Sequence, residues 1–391
     1  MSTIPYSSIL SLIVTRLGGA ASLAFCYALT SRNFGIDALA SLAYFVSVLN
    51  IVSVVGRFGA DQLLLREVPK MAVNDSSDLV GRCLFISFLL TSIFSAYCIY
   101  NANYLLAVIC TVFGVFSVLS EAYRARGWPT VYSSIRNLSF NLGLLFFITI
   151  SLLGTGIEPE QTIFGVALAS LSSFLLALTA YRRKFEIRTT YIGCLSGFDS
   201  RLFLSLAPIA TYQSIIIMQS YGYNIFLTEF GSAEEVSIFT ILLQIGLVFT
   251  LTSTSITVDR SLPMSVQVKE GRYQAALESY LNVAKVSAVI LTPVYLMILI
   301  AGPWAVLLIF DIDMASHVRD LYVFTTASFI NGISGPKHTS LSLLGKERVV
   351  LVLSIASAMA SALIGMVLLD TMRPLTLACT MYFIFTLAFS S

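Results

Sequence analysis

One arginine lies in the middle of a long apolar stretch near the start of the chain. Arg16 is the only charged residue between Pro5 and Thr30. In a helix that begins near Pro5 it would lie about 16 Å along the axis, roughly at the centre of a bilayer core about 30 Å thick. A cation at that depth costs at least ~2.5 kcal/mol, so it normally faces a cavity within the protein and serves a function. Arg16 therefore predicts an anion-binding site, because a guanidinium donates paired hydrogen bonds to phosphate-like groups.

A structural role for Arg16 is the alternative. Its guanidinium could donate to backbone or side-chain oxygens of a neighbouring helix. Gly18, Gly19 and Ala20 follow it closely and allow such a helix to approach. Small residues are compatible with both the anion-binding and the structural role, so the sequence does not decide between them.

Further arginines flank the predicted helix ends. Arg57 and Arg260 occupy corresponding places, at the ends of the second and eighth predicted helices. With Arg124 and Arg126 they could form a funnel that admits an anionic headgroup. The alternative is a general excess of cytoplasmic basic residues that contact anionic lipid.

Acidic residues accompany two of these arginines and suggest gates. Asp61 follows Arg57 by four residues, and Asp259 directly precedes Arg260. On a helix the first spacing brings the two side chains together. Each pair could close a cytoplasmic mouth, or it could be an ordinary exposed ion pair worth less than about 1 kcal/mol.

Uncharged polar residues are frequent in the seventh and eighth predicted helices. Gln213 and Asn224 lie in the seventh, and Gln244 lies in the eighth. Amide side chains both donate and accept hydrogen bonds and therefore suit a sugar. Hydrogen bonding between helices is the alternative role for the same residues.

Composition places the chain among polytopic membrane proteins. Of 391 residues, 57% are hydrophobic and only 11% are charged, whereas a soluble protein carries about 25% charged residues. His317 and His338 are far apart, and neither nucleophile nor phosphate-loop motifs occur. We therefore predict no catalytic residues, no metal, no cofactor, no nucleic-acid partner and no enzymatic activity. Apolar runs predict about twelve transmembrane helices, near 5–31, 37–56, 81–100, 104–121, 130–154, 162–181, 202–226, 236–257, 283–310, 318–335, 349–369 and 374–390.

Basic residues predict the orientation of these helices. The odd-numbered connections contain only Arg32, Arg319 and Arg373, whereas nearly all the other basic residues of the 23 lie at even-numbered connections. Because cytoplasmic loops are enriched in Lys and Arg, both termini are predicted to be cytoplasmic.

A faint internal repeat suggests two halves. Phe34-Gly35 recurs as Phe230-Gly231, and Ser41 matches Ser237 at the same offset. We predict two six-helix lobes, 1–195 and 196–391, around a central cavity.

Four segments resemble a known family over essentially the whole chain. Gly56-Arg57-Phe58-Gly59-Ala60-Asp61-Gln62 is similar to the end of helix 2 in polysaccharide-biosynthesis flippases. The range 207–231 is similar to their helices 7 and 8, 259–272 to their loop 8 and 341–348 to their loop 10. The chain thus resembles the multidrug/oligosaccharidyl-lipid/polysaccharide exporter superfamily, and within it the Wzx-type O-antigen flippases.

The resemblance implies a MATE-like all-α membrane fold and a flippase function. Such a protein moves an undecaprenyl-diphosphate-linked glycan from the cytoplasmic to the periplasmic leaflet of the bacterial inner membrane. The polymerase and chain-length proteins of the pathway, and membrane lipids, would be its partners. Arg16, Arg57, Arg124, Arg260, Gln213, Asn224 and Gln244 are the predicted substrate contacts, and Asp61 and Asp259 the predicted gate.

Three alternatives remain. The first is a drug or cation antiporter of the same fold, and the second is an O-antigen polymerase or membrane glycosyltransferase. The third is a major-facilitator transporter, to whose loop 2–3 motif the segment Gly56 to Arg66 is faintly similar, although the Arg-x-Gly-Arg element that follows in that motif is missing. Family members often carry Asp in helix 7, where this chain has Asn224, and Glu121 and Asp259 lie only at span edges. We therefore expect no buried acid, and a direction of transport set by membrane potential or by consumption of the glycan.

Overall fold

The computed structural model describes most of the chain as helix. It covers residues 6–68, 71, 73–100, 103–154, 158, 161–184, 200–334, 341 and 346–390. Side chains are described in the same ranges except at 6–14, 66, 73–75, 129, 137, 182–184, 200–205, 255–266 and 268–269.

The helices follow one another with short connections. The first are α1 (Tyr6–Arg57), α2 (Ala60–Glu67), α3 (Val73–Tyr100), α4 (Tyr104–Ala125) and α5 (Pro129–Ser133). A π-helical segment, Ser134–Ser139, joins α5 to α6 (Phe140–Leu153), and α7 (Thr162–Lys184) and α8 (Ser200–Phe230) follow. The remainder are α9 (Ala233–Lys269), α10 (Tyr273–Phe310), a 3₁₀ turn (Ala315–His317), α11 (Val318–Ile333), α12 (Glu347–Leu368) and α13 (Pro374–Ser390).

Each predicted span coincides with helical structure, but the first two are joined more tightly than expected. Gly35 alone interrupts α1, with φ 86° and ψ 179°. Residues 32–34, which were predicted to lie in a connection, are helical, and the Asn33 side chain donates to Leu29 O at 2.8 Å. Only glycine adopts that backbone conformation readily, so one residue suffices to separate the two halves of α1.

Two helices continue well beyond their predicted ends. The eighth and ninth spans were predicted to end near 257 and to begin near 283, whereas α9 runs to Lys269 and α10 begins at Tyr273. Gly271, with φ 72°, lies in the turn between them. An apolar run marks only the part of a helix suited to lipid, and a helix can continue in polar sequence until a turn ends it.

Apolar side chains cover much of the protein surface. Eight helices of the described part are long and apolar enough to cross a membrane, judged by length and composition. Large apolar residues such as Ile93, Leu153, Ile300 and Val367 are exposed. A surface of this kind is suited to lipid and not to water, as the composition predicted.

The chain divides into two compact units. They comprise Met1–Tyr221 and Gly222–Ser391, and their boundary lies within α8. The predicted boundary at 195/196 falls within 185–199, which lies outside the described residues. The division into lobes 1–195 and 196–391 stays a prediction.

Small residues bring three helices of the first unit into close contact. A Cβ atom on Gly114 of α4 would lie 2.2 Å from Thr91 Cγ2 of α3, and one on Gly56 of α1 would lie 2.8 Å from the same atom. Thr91 Oγ1 donates to Ser87 O at 2.7 Å, which fixes this side chain. The close approach lets the end of α1 contact the end of α4, where the charged residues lie.

Candidate functional site

A buried glutamate is the centre of the charged cluster. Glu121 of α4 is 1% exposed, and its Oε1 accepts from Arg57 Nη1 at 3.0 Å and from Arg136 Nη1 at 2.7 Å. The Tyr132 hydroxyl donates to the same oxygen at 3.1 Å. Arg124 Nη1 lies 3.6 Å from Glu121 Oε2. One carboxylate therefore interacts with three arginines from three parts of the chain.

Tyr132 and Arg136 reach Glu121 from α5 and the π-helical segment. Two guanidinium groups lie over the ring of Tyr132, with Arg124 Cζ at 5.7 Å and Arg136 Cζ at 5.8 Å from its centroid. Cation–π contacts of this kind hold guanidinium groups in place. The π-helical segment carries Arg136, and such segments are rare and often lie at functional sites.

Arg16 lies near the same cluster. Thr15 Oγ1 donates to Ser133 Oγ at 3.0 Å, which holds this turn of α1 against α5. Arg16 is partly buried and lies within electrostatic range of Glu121, Arg124 and Arg136. Contact of Arg16 with an anion stays a prediction. The structure places Arg16 near the other charged residues of this site.

The cluster carries more positive than negative charge. Its described members are four arginines and two carboxylates, an excess of two positive charges: Arg16, Arg57, Arg124, Arg136, Glu121 and Asp61. We call these six side chains, with Tyr132, the arginine cluster. The side chains of Arg57, Arg124 and Arg136 are 11%, 32% and 21% exposed, against 1% for Glu121. The arginines are therefore more accessible than the carboxylate that positions them.

Asp61 joins the cluster in a way that the sequence spacing did not predict. Arg57 and Asp61 were expected to meet one turn apart on a single helix. Instead α1 ends at Arg57, and Phe58 and Gly59 follow with φ of 44° and 75° before α2 begins. The two side chains still meet across this left-handed break, with Arg57 Nη1 4.0 Å from Asp61 Oδ2. A gating role for the pair stays a prediction.

The break at Gly59 also places Asp61 against α8. A Cβ atom on Gly59 would lie 3.1 Å from Ile209 Cγ2 and 3.3 Å from Leu206 O, so glycine permits both the turn and the contact. One helical turn further along α8, Gln213 Nε2 donates to Asp61 Oδ2 at 3.0 Å. Two residues predicted separately, as a sugar contact and as part of a gate, thus lie in one site.

The other predicted substrate contacts belong to the second unit. Asn224 is 1% exposed, and its side-chain oxygen accepts from Thr240 Oγ1 at 3.3 Å, within the second unit. Gln244 is partly buried on α9. Substrate contact for either amide stays a prediction. Asp259 and Arg260 belong to α9, but their side chains lie outside the described part of the structure.

The expectation that no acid is buried is wrong. Glu121, Asp61 and Asp320 are 1%, 5% and 4% exposed. Arginines accompany the first two, and His317 Nδ1 lies 3.4 Å from Asp320 Oδ2. Hydropathy did not predict that these acidic residues are buried, because each lies near a helix end. Each is buried beside a basic residue, which the apolar pattern does not show.

Three members of the cluster were not predicted as site residues: Glu121, Tyr132 and Arg136. The sequence contained a signal that could have identified two of them, Glu121 and Arg136. Glu121 precedes Arg124 by three residues at the end of an apolar span, and Arg136 lies inside the predicted span 130–154. A charge within an apolar span is a functional candidate by the same argument that identified Arg16.

Several solved structures have a similar fold. One is an inward-facing conformation of a multidrug resistance MATE family transporter of the MOP superfamily, with a TM-score of 0.71 and 14% identity over 96% of this chain and 95% of that one. The chain has a MATE-like fold. An outward-facing conformation of a transporter described in the same words matches with a TM-score of 0.63 and 13% identity, over 100% of this chain and 96% of that one.

A third MATE structure adds a ligand-bound example. It is the MATE multidrug transporter DinF-BH in complex with a ligand, which matches with a TM-score of 0.67 and 15% identity over 98% of this chain and 95% of that one. No family model and no curated protein matches the sequence. At such low sequence identity the similarity establishes the fold and not the substrate.

Proposed function

We propose that this protein is a membrane transporter that moves an undecaprenyl-diphosphate-linked oligosaccharide from the cytoplasmic to the periplasmic leaflet of a bacterial inner membrane by alternating access. The proposal rests on one observation, the excess positive charge of the arginine cluster. The two termini would be cytoplasmic, and the transporter would perform no covalent chemistry.

The charge of the cluster matches the proposed headgroup. A diphosphate that is esterified at both ends carries two negative charges, and the described side chains of the cluster carry two positive charges in excess. Guanidinium groups bind phosphate oxygens in pairs through short charge-assisted hydrogen bonds. Binding would therefore neutralise both partners, which lowers the cost of holding the diphosphate away from water.

The remaining parts of such a substrate also fit the molecule. The polyprenyl chain can stay in the bilayer beside the exposed apolar helices, while the diphosphate and the sugars need a polar path. Gln213 supplies an amide next to the cluster, and its donor already contacts Asp61. The polymerase and chain-length proteins of the same pathway would then act on the translocated glycan.

A drug antiporter is the second candidate, favoured by the similar structures, which are multidrug transporters. The buried carboxylates of Glu121 and Asp61 also suit a cation in principle. However, arginines already surround both acids, so a cationic drug would meet a net positive site. The charge of the cluster therefore favours an anion.

Deletion of the gene in its native host separates these candidates. If the proposal holds, lipid extracts of the deletion strain contain single, unpolymerised lipid-linked repeat units, and surface polysaccharide is lost. Normal surface glycan with changed drug sensitivity would indicate the antiporter. Surface glycan shortened to one repeat unit, already outside the cell, would indicate a polymerase and would overturn the proposal.

A further inference from the structure

At the contact between Asp61 and Gln213, two buried oxygen atoms accept no hydrogen bond from the described part of the chain. Gln213 Nε2 donates to Asp61 Oδ2 at 3.0 Å, which fixes the orientation of the amide. Among the residues that the structure describes, none donates to Asp61 Oδ1 or to Gln213 Oε1, although both atoms are shielded from solvent. Buried acceptors in native proteins are nearly always paired, so two such atoms in one contact require an explanation.

The neighbouring groups limit what could pair with these oxygens. Arg57 lies 4.0 Å from Asp61 Oδ2, beyond hydrogen-bond distance, and its Nη1 donates to Glu121 at 3.0 Å. Arg124 and Arg136 also interact electrostatically with Asp61. A metal ion or an ammonium group would be repelled by these arginines, whereas a hydroxyl group donates a hydrogen bond without carrying charge.

We propose that Asp61 and Gln213 form a subsite for hydroxyl groups of the sugar bonded directly to the diphosphate. This inference rests on the function proposed above. The first sugar lies next to the diphosphate, as the Asp61–Gln213 pair lies next to Arg57. Its hydroxyl groups donate to Asp61 Oδ1 and Gln213 Oε1, which requires the two side chains to separate enough to admit it.

This subsite would let the protein distinguish a loaded carrier from an empty one. The arginines bind the diphosphate of either lipid, but only a glycosylated lipid supplies donors to the two oxygens. A site built to hydrogen-bond a hydroxyl group discriminates strongly against a ligand without it. Undecaprenyl diphosphate without sugar would therefore bind more weakly than the glycan-bearing lipid.

Binding measurements on the full-length protein in lipid nanodiscs test this inference. The two probes are the lipid-linked glycan extracted from a host strain that lacks the gene, and undecaprenyl diphosphate without sugar. We expect the wild-type protein to bind the first at least about tenfold more tightly. Gln213→Leu should bind the two lipids within about twofold of each other and retain the wild-type affinity for the bare lipid. Asp61→Asn should also lose the preference, but its affinity for both lipids should rise together, because the arginine cluster loses one negative charge.

Thr211→Val is the matched control on the same helix. Thr211 is exposed, and its hydroxyl donates to Ala207 O of its own helix at 2.8 Å, so this variant should keep the tenfold preference. Binding of the bare lipid also reports whether each variant is folded.

The outcomes separate the two proposals. If the wild-type protein binds both lipids equally, or if Gln213→Leu and Asp61→Asn keep the preference, the subsite is wrong while the transport proposal stands. If both variants lose affinity for both lipids alike, the contact is structural and the subsite is again wrong. If the wild-type protein binds neither lipid, both proposals fail.

Discussion

At the scale of single residues, Glu121 explains how four arginines can lie close together. Its Oε1 accepts three hydrogen bonds, from Arg57, Arg136 and Tyr132. Like charges at this spacing repel, and a central carboxylate offsets the repulsion. Because Glu121 is more deeply buried than the arginines, it orients them while part of each guanidinium stays available to a ligand.

Loss of the Glu121 charge should therefore destabilise the protein. Glu121→Gln leaves three guanidinium groups without their shared counter-charge, and removing one partner of a buried ion pair costs about 3 kcal/mol. We expect the thermal unfolding midpoint of the purified protein to fall by roughly 5–10 °C. A second change, Arg136→Gln, should restore part of this loss by removing one of the repelling charges. An unchanged midpoint for the single variant would contradict the central position assigned to Glu121.

Loss of an arginine should instead reduce transport. A hydrogen bond between charged groups contributes about 1.5–3 kcal/mol, so Arg57→Gln and Arg136→Gln should each lower flipping efficiency about 10- to 100-fold. Arg82→Gln is the control, because Arg82 is half-buried and pairs at 2.8 Å with Asp78, which is not a member of the arginine cluster. Surface glycan at matched protein levels is the measurement. Equal effects of all three variants would mean that only the general positive charge matters.

Sequence could identify some of these residues and not others. Arg16 could be predicted as a functional residue, because burying a charge within an apolar span costs free energy whichever neighbours the helix packs against. The contacts of Glu121 with Arg57 and Arg136 could not be predicted, because they depend on how α1, α4 and the π-helical segment pack. Chain separations of 64 and 15 residues give no local pattern to detect.

At the scale of helices, close packing through small residues positions the cluster. Gly56 and Gly114 both lie against Thr91, and Gly114 precedes Glu121 by two helical turns on α4. The apolar pattern predicted where each of these helices runs. It did not predict the left-handed break at Phe58-Gly59 or the continuation of α9 to Lys269, because helix ends depend on turn geometry that an apolar run does not encode.

Gly114→Ala should separate α3 from α4. The added Cβ would lie 2.2 Å from Thr91 Cγ2, and because Thr91 is held by its own hydrogen bond, the helices must shift. We expect a lower yield of folded protein, measured by size-exclusion chromatography of a fluorescent fusion. Thr91→Ala removes the clashing methyl group, so the double variant Thr91→Ala/Gly114→Ala should recover yield. If it recovers none, the contact is not what limits folding.

At the scale of the whole molecule, the distribution of basic residues predicts how the protein is oriented in the membrane, which the fold alone does not specify. The predicted even-numbered connections hold most basic residues, so both termini should be cytoplasmic. Fusion of a reporter that is active only in the cytoplasm should give signal at either end, and a periplasmic reporter should give none. A terminus that is active only with the periplasmic reporter would reverse the proposed direction of transport.

The fold class itself was predictable because hydropathy and turn residues are local signals. The predicted twelve spans coincide with helices, and the fold is MATE-like. Substrate identity cannot be predicted in this way, because proteins that share a fold at about 14% sequence identity can bind different substrates. The substrate therefore has to be determined by measurement.

The most direct test of the account is translocation in reconstituted vesicles. Purified protein is placed in liposomes with the lipid-linked glycan from the deletion strain, and exposure of the glycan to an external lectin is followed over time. We expect translocation with the wild-type protein and the Arg82→Gln control, and at least about tenfold less with Arg57→Gln or Arg136→Gln. Translocation that is equally fast in all four proteins, or absent from the wild type while a cationic dye is transported, would contradict the account.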